Sequence, residues 1–443
     1  MRFTLALITA KLTASVIDLV AKGRGTNLPG VVALKIDPDF VSHIKGADPE
    51  KSVFVTGTNG KSTTTNLINH ILTDAGWKVC SNLGGANLLT GVATAMAKDC
   101  TLGGRLRSDA VVMETDERYL TFIRKQLPAK YICLTNVQKD QAQRNGEPSF
   151  IMDKLAQVLD SSVTLFVNQN EPNALSLGEL AGRMVTYGVV ENSLSYDKED
   201  DFFAVGMPCP KCHNPIRFSK YNIENIGPFR CSSCGFGEGK ADFTAEDIDF
   251  EGRHFRVGDT TYAFNFNTPY FLYCYVSAIA IALELGLGTE AIQGAMERFV
   301  NIRGRLVTRD VDGKTLKYIK MKQENSETLQ SALNLTAEDP KPKNFMIGYD
   351  EYLDFYPPFC PNFYLFDCDL RGLLKSGVSK WVCMSTAMGR AAAVRFLYDG
   401  FDEEKLTVLK DSYEDTAVDM IHQLDTDNVY LIEEIPYFKK KRK

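Results

Sequence analysis

No sign of charge dominates this chain. Its 443 residues carry 50 Lys and Arg against 56 Asp and Glu, a formal net charge of −6, so a general binder of polyanions is not expected. The basic run KKKRK at 439–443 reads as a solvated tail. Long apolar runs are missing too. The opening MRFTLALITAKLTASVIDLVAKGRGTNLPG is apolar and starts with a basic residue, but Lys11 and Asp18 interrupt it well short of the roughly 18–20 residues that a span requires, and no small-residue cleavage site stands out. It reads as an amphipathic helix ending near Gly23 and Gly25, in a chain expected to be soluble. Internal repeats and low-complexity tracts are absent as well, which leaves globular domains, two or three by length. With 44% hydrophobic residues these can bury a sizeable core. Of the 11 cysteines, four fall in two CxxC pairs and the other seven are scattered, as reduced thiols are in a cytoplasmic protein.

From Lys51 to about Leu134, short β-branched runs alternate with helix-like stretches. SVFVTG and SDAVVMETD read as buried parallel strands and TTTNLINHILTDAG as a helix with Gly76 near its end. KYICLTN and VTLFVNQN continue the series. The succession predicts an α/β fold built on a doubly wound sheet, with its site at the carboxyl ends of the strands. Between about 202 and 239 the composition turns to Cys, Pro, Gly and polar residues, as expected of an inserted module. YVSAIAIALELGLGTEAIQGAMERFV reads as two helices separated by Gly286 and Gly288. After NIRGRL, the stretches TLKYIKMK, NFMIGYD, KWVCMST, AAAVRFLYDGF and NVYLIEEIP predict a second, smaller Rossmann-like α/β domain. The expected division is 1–45 as helix and lead-in, 46–300 as a central α/β domain, and 301–443 as the C-terminal domain.

The stretch TGTNGKST carries the first chemistry. A glycine-bearing turn that runs directly into a helix presents backbone N–H groups to phosphate oxygens. Gly57 and Gly60 would make the turn, Lys61 would place a point charge toward the outer phosphates, and Ser62 or Thr63 would offer a hydroxyl to Mg²⁺. Val55 stands where the general GxxxxGK[ST] spacing has glycine, so the loop is a variant. Magnesium needs further oxygen ligands. Glu114, just past a predicted strand, is placed to supply one, with Asp116 and Glu117 beside it.

The second signal is CPKC at Cys209 and Cys212 followed, eighteen residues on, by CSSC at Cys231 and Cys234. That is the spacing of a tetrahedral four-cysteine zinc ribbon, and Pro210 and Gly235 favour zinc over a redox dithiol. Such a site has no open coordination position, so its expected role is structural. His213 is surplus to the four ligands and reads as a surface residue.

With these residues in view, the chain resembles the Mur ligase superfamily and, within it, the MurT branch. The resemblance runs nearly the full length. It covers GRGTNLPGVVALKIDPDF, TGTNGKSTTT, SNLGGANLLTGVATAM, METDE, LTNVQKDQAQRNGE, the ribbon, RGR, FDCDL and AVRFLYDGF. It implies a carboxylate-activating, ATP- and Mg²⁺-dependent ligase of peptidoglycan biosynthesis, cytoplasmic and acting near the inner face of the membrane. The implied substrate is the α-carboxylate of D-glutamate in the lipid II stem peptide, with ammonia from a GatD-type glutamine amidotransferase subunit. By motif, Gly57, Thr58, Asn59, Gly60, Lys61, Ser62 and Thr63 would bind nucleotide, Ser62 and Glu114 magnesium, and Cys209, Cys212, Cys231 and Cys234 zinc. Arg305 would reach the phosphates, and Lys61 and Asp354 would be catalytic.

The chain departs from the branch at three places. Tyr273 and Val276 stand at two asparagine positions of the segment that frames the nucleotide base. MKQENSETLQ keeps Lys322 but lacks the Pro and Gly of its counterpart. Around Asp354, Phe355 replaces glycine and Pro357 an aspartate, with Asp350, Asp367 and Asp369 nearby. Two expectations therefore stand side by side: a working ligase subunit, or a diverged relative with a changed substrate or a non-catalytic, nucleotide-binding scaffold role.

Overall fold

The computed structural model describes residues 1–20, 27–84, 86–139, 147–197, 207–265, 269–299, 306–321, 325–348, 365–384, 387–411 and 414–434. The chain divides into two compact units, Met1–Gln138 with Glu147–Val300, and Lys139–Gly146 with Asn301–Lys443.

The first unit is built on strands β1 (Ser52–Thr56), β2 (Val79–Ser81), β3 (Ala110–Glu114), β4 (Tyr131–Leu134), β5 (Thr164–Asn168) and β6 (Arg183–Val189). Every residue of β1, β3, β4 and β5 is buried, as strands covered on both faces require. A small hairpin, β7 (Ile216–Phe218) and β8 (Phe229–Cys231), stands apart. Then β9 (Phe243–Asp249), β10 (His254–Val257) and β11 (Thr260–Ala263) complete a nine-stranded sheet in the order β11-β10-β9-β6-β5-β4-β1-β3-β2. Neighbours from β9 to β2 are parallel, and β10 and β11 are antiparallel. The cysteine-rich insertion thus lies in the crossover between two parallel neighbours, β6 and β9.

Side chains alternate across this sheet. Val53, Val55, Val112, Cys133 and Phe166 face one core, with Leu67, Ile68 and Ile71 of the helix Lys61–Asp74 and the apolar helix Pro269–Glu284. Phe54, Val111, Met113, Ile132 and Leu165 face the other, with Val92, Ala93 and Met96 of the helix Leu89–Asp99. Each fully buried side chain of this size contributes about 1.5–3 kcal/mol, so both layers are held tightly to the sheet. The chain runs from β1 to the edge at β2, returns to β3, and then crosses β1 to reach β4. A crevice at the carboxyl ends of β1 and β4 follows from that reversal.

The opening helix, Arg2–Val20, differs from the expected amphipathic one. Its buried face is mostly small, with Ala6, Leu7, Ala10 and Ala14, while the larger Leu5, Ile8, Leu12, Val16 and Leu19 are exposed. The alanines permit close approach to the neighbouring helices Leu28–Ile36 and Leu89–Asp99, both of which it contacts. The apolar residues therefore point both ways. Among the described residues, no helix is long and apolar enough to cross a membrane.

The second unit holds β12 (Leu306–Val311), β13 (Lys314–Met321), β14 (Lys343–Gly348), β15 (Val378–Cys383), β16 (Leu406–Val408) and β17 (Asn428–Glu434). Their order is β12-β13-β17-β14-β15-β16. All pairs are parallel except the β12–β13 hairpin. Phe345, Trp381 and Ile432 pack under the helices Ser326–Glu338 and Ala387–Tyr398 on one face, and Met346, Val382 and Leu431 under Glu414–Gln423 on the other. This is again a mainly parallel sheet covered on both sides.

Candidate phosphate-binding site and cysteine cluster

The loop after β1 enters the helix Lys61–Asp74 at Gly60, whose φ is +87°. Gly57 has φ +120°, and a Cβ there would lie 2.4 Å from Thr135 Oγ1 and 2.7 Å from the Asn136 carbonyl oxygen. Both glycines are therefore required by backbone conformation, and Gly57 also by close approach. The loop is clamped to the segment that follows β4. Thr58 N–H donates to the Asn136 carbonyl at 2.9 Å, and Asn59 N–H to Asn136 Oδ1 at 2.9 Å. Asn59 Nδ2 reaches Gln138 Oε1 at 3.0 Å, and Thr135 Oγ1 donates to the Asn59 carbonyl at 2.6 Å. The Gln138 N–H donates to Thr58 Oγ1 at 2.9 Å. Five such bonds hold the turn in one shape before any phosphate arrives, while the first turn of the helix directs its N–H groups outward.

Lys61 folds over this turn. Its ammonium donates to the Gly57 carbonyl, to the Thr58 carbonyl at 3.1 Å, and to Glu117 Oε2 at 3.4 Å. Ser62 is exposed and Thr63 half-buried on the first turn. Asp116 is held by Arg118 through bonds of 2.6 and 3.0 Å. Burial works against its charge, but Arg118 and the nearby Lys61 bring its carboxyl below the usual range. Glu114 lies buried at the end of β3, opposite Val55 in register. Its backbone is fixed from both sides by Asn82, whose Oδ1 accepts from the Glu114 N–H and whose Nδ2 donates to its carbonyl, each at 2.8 Å. Among the described residues its carboxylate makes no ion pair, whereas Asp116 and Glu117 are paired. Of the three acids, Glu114 has no cation beside it among the described residues, and a carboxylate oxygen is the hard donor that magnesium takes, so the donor set fits magnesium.

Other features were not anticipated from the sequence. Glu171 is buried, and its carboxylate accepts from Val137 N–H at 2.9 Å, Ala174 N–H at 2.8 Å and Asn173 N–H at 3.1 Å. It ties the clamp segment to a helix N-terminus. Burial pushes its carboxyl up to about 7, against those three donors. Tyr270 and Cys274 press on the loop: a Cβ on Gly60 would come within 2.9 Å of the Tyr270 hydroxyl and 3.3 Å of Cys274 Sγ. Polar residues directly after a strand, as in LTNVQ, are the signal that could have pointed to Asn136 and Gln138.

Arg305, Lys322, Asp350 and Asp354, the segment 140–146 and the basic run 439–443 lie outside the described residues. Asp369 accepts from Arg371 N–H at 2.9 Å and pairs with its guanidinium at 2.8 Å, a local turn just ahead of the short helix Arg371–Leu374. Asp367 is exposed.

The four cysteines meet. Cys209, Cys212, Cys231 and Cys234 place their Sγ atoms within 4.8 Å of one another, with Cys209–Cys234 at 3.8 Å and Cys212–Cys231 at 3.5 Å. A tetrahedral ion with Zn–S bonds of about 2.3 Å sets its sulfurs about 3.8 Å apart. Each CxxC forms the same knuckle. His213 donates to the Cys209 carbonyl at 2.9 Å, and Gly235 to the Cys231 carbonyl at 2.9 Å. Both turn residues have positive φ, +63° and +74°. The Asn214 backbone and side-chain amides hold the Cys212 thiol down to about 6. The cluster is compatible with zinc, and the matching knuckles account for the exposed His213, which takes a turn position usually suited to glycine.

Comparison with known proteins agrees with this geometry. A family model described as the Mur ligase middle domain matches residues 55–226. Subunit MurT of lipid II isoglutaminyl synthase (glutamine-hydrolyzing) from Staphylococcus aureus strain COL is 26% identical over 356 residues, covering 80% of this chain and 76% of the relative. Its Streptococcus pneumoniae counterpart is 28% identical over 337 residues, 73% and 71% of the two chains. Among solved structures, a pseudomurein peptide ligase type C from Methanothermus fervidus superposes with a TM-score of 0.64 at 16% identity, covering 90% of this chain and 78% of that one. The chain thus carries a Mur ligase middle domain at residues 55–226 and is similar to MurT subunits over 73–80% of its length.

Proposed function

We propose that the protein is the ATP-using subunit of a lipid II isoglutaminyl synthase. It would activate the α-carboxylate of D-glutamate in the stem peptide for amidation by ammonia from a GatD-type glutamine amidotransferase. The observation that carries this reading is the clamped loop with Lys61 at the carboxyl end of β1, in a chain 26% identical to a MurT subunit over 356 residues. A carboxylate is a poor acyl donor until it is phosphorylated. The carboxylate oxygen attacks the γ-phosphorus and ADP leaves; ammonia then attacks the acyl carbon and phosphate leaves.

In this chain the loop amides and the helix N-terminus would bind phosphate oxygens. Lys61 would leave the loop carbonyls and turn toward the charge that develops in transfer. Glu114 with Ser62 would hold magnesium, which supplies charge neutralisation when bound. Glu117, now 3.4 Å from Lys61, orients the ammonium. Arg305 and Asp354 are proposed, on the family motif, to reach the phosphates and to assist ammonia. The cysteine cluster would hold zinc structurally.

A single labelling experiment tests the chemistry. With substrate carrying ¹⁸O in the carboxylate, one labelled oxygen is expected in the released phosphate. Amidation that leaves phosphate unlabelled would rule out the acyl phosphate. A second reading, a nucleotide-binding scaffold without turnover, is favoured by Tyr270 and Tyr273 at the mouth of the loop; it predicts phosphate binding with no amide product.

A further inference from the structure

A cleft with about 250 Å³ of open space adjoins the phosphate loop, lined on one side by Gly60 and Thr64 and on the other by Tyr270, Tyr273 and Cys274. A ligand gripped by the loop would rest its non-phosphate part here or turn it to solvent. The helix Pro269–Glu284 decides which, because its first turn is pressed onto the loop. The Tyr270 hydroxyl would lie 2.9 Å from a Cβ on Gly60, and Tyr273 is 6% exposed.

The polar groups of the cleft are largely committed to the protein itself. Asn222 Nδ2, from the loop between β7 and β8 of the cysteine-rich module, donates to the Tyr273 hydroxyl at 3.0 Å. The same amide group reaches the Val189 carbonyl at 3.1 Å. The Tyr187 hydroxyl donates to the Leu134 carbonyl at 3.1 Å. Asn136 uses both ends of its side chain on Asn59, at 2.9 and 3.1 Å. Thr64 Oγ1 is buried without a partner, and a rotating hydroxyl serves equally as donor or acceptor. It therefore matches adenine and guanine edges alike. Discrimination between bases needs fixed, paired donors and acceptors, as a site built to bond one partner rejects another by leaving buried groups unpaired.

We infer that the protein grips its phosphate donor by the polyphosphate end, with Tyr270 and Tyr273 filling the seat beside the loop, so that the donor class is nucleoside triphosphates without regard to base. This rests on the phosphate-binding reading of the loop. Tyr270 and Tyr273 are then specificity-determining residues that keep the base outside.

The test is calorimetric titration of the full chain, with magnesium, using ATP, GTP and inorganic tripolyphosphate. The three dissociation constants are expected to agree within about threefold, and Lys61→Ala to weaken all three in parallel by tenfold or more. Tyr270→Ala, checked for folding by its melting curve, is expected to raise the affinity for ATP relative to tripolyphosphate. If wild type prefers ATP to both others by more than tenfold, the inference fails while the phosphate-binding reading stands, and this holds even if the tyrosine variant does not fold. If wild type binds none of the three, both fail.

Discussion

Lys61 and Glu117 stand 3.4 Å apart and both are largely buried, so the cation is positioned before a ligand arrives. In a largely buried site such a charge interacts more strongly than in water. The neighbouring acids divide by their partners: Asp116 belongs to Arg118 and Glu117 to Lys61, while Glu114 has no ion pair among the described residues. A different, half-buried carboxylate ties elements of the second unit together. Asp339 bonds Lys317 at 2.6 Å, the Tyr430 hydroxyl at 2.8 Å and Asn428 at 3.0 Å. Burial opposes its ionisation, yet these donors hold its carboxyl well below the usual 3.8. A depressed carboxyl stabilises the fold above its unfolded-state value and loses that contribution as pH falls through the folded one. Asp339→Asn is therefore expected to cost roughly 2 kcal/mol at neutral pH. The gap to wild type should narrow as pH falls below about 4, and denaturant melts from pH 7 to 3 would show the narrowing begin; a gap that stays constant contradicts the assignment. Much at this scale was legible. Gly57, Gly60 and Lys61 announce themselves because only glycine makes such turns and only a cation suits phosphate. The partners Asn136 and Gln138 do not, because they meet the loop across nearly eighty residues of chain.

At the scale of elements, the strand–loop–helix unit and the cysteine-rich hairpin carry the candidate sites. Strands β1, β3, β4 and β5 were readable because burial on both faces leaves continuous apolar runs. The two knuckles were readable because four ligands need that spacing. Their consequence was not: the hairpin's connecting loop carries Asn222 to Tyr273, so the module that a metal would organise also forms a wall of the cleft. About one zinc per chain is expected on metal analysis. Cys209→Ser or a strong chelator should remove it and make residues 207–239 sensitive to protease, since a module this small has little core of its own. Zinc-free protein with an equally resistant module would contradict this. The opening helix shows the limit of pattern reading. Apolar residues at helical spacing predict a helix, but not that alanines face inward while Leu5, Leu12 and Leu19 face out.

Over the whole molecule, two mainly parallel sheets, each with a core on both faces, make two units that could keep separate chemistries. The first holds the phosphate loop and the cysteine cluster. The second was foreseen as an α/β unit from TLKYIKMK, NFMIGYD, KWVCMST and NVYLIEEIP, whose strands β13, β14, β15 and β17 pair in parallel. Which of its residues a reaction would use could not be read from residue types alone, since several aspartates in one stretch offer the same group, and Asp369 proves to bond Arg371 two residues on. The central claim, a carboxylate-activating ligase subunit, is tested most directly by amidation of lipid II. The purified chain would be mixed with a GatD-type subunit, glutamine, Mg²⁺ and ATP, with wild type compared against Lys61→Ala. The account predicts amidated lipid II with wild type and a loss of at least 100-fold in rate with Lys61→Ala, the scale of removing one charge-stabilising group. Wild type that forms no amide, or a variant as fast as wild type, would contradict it.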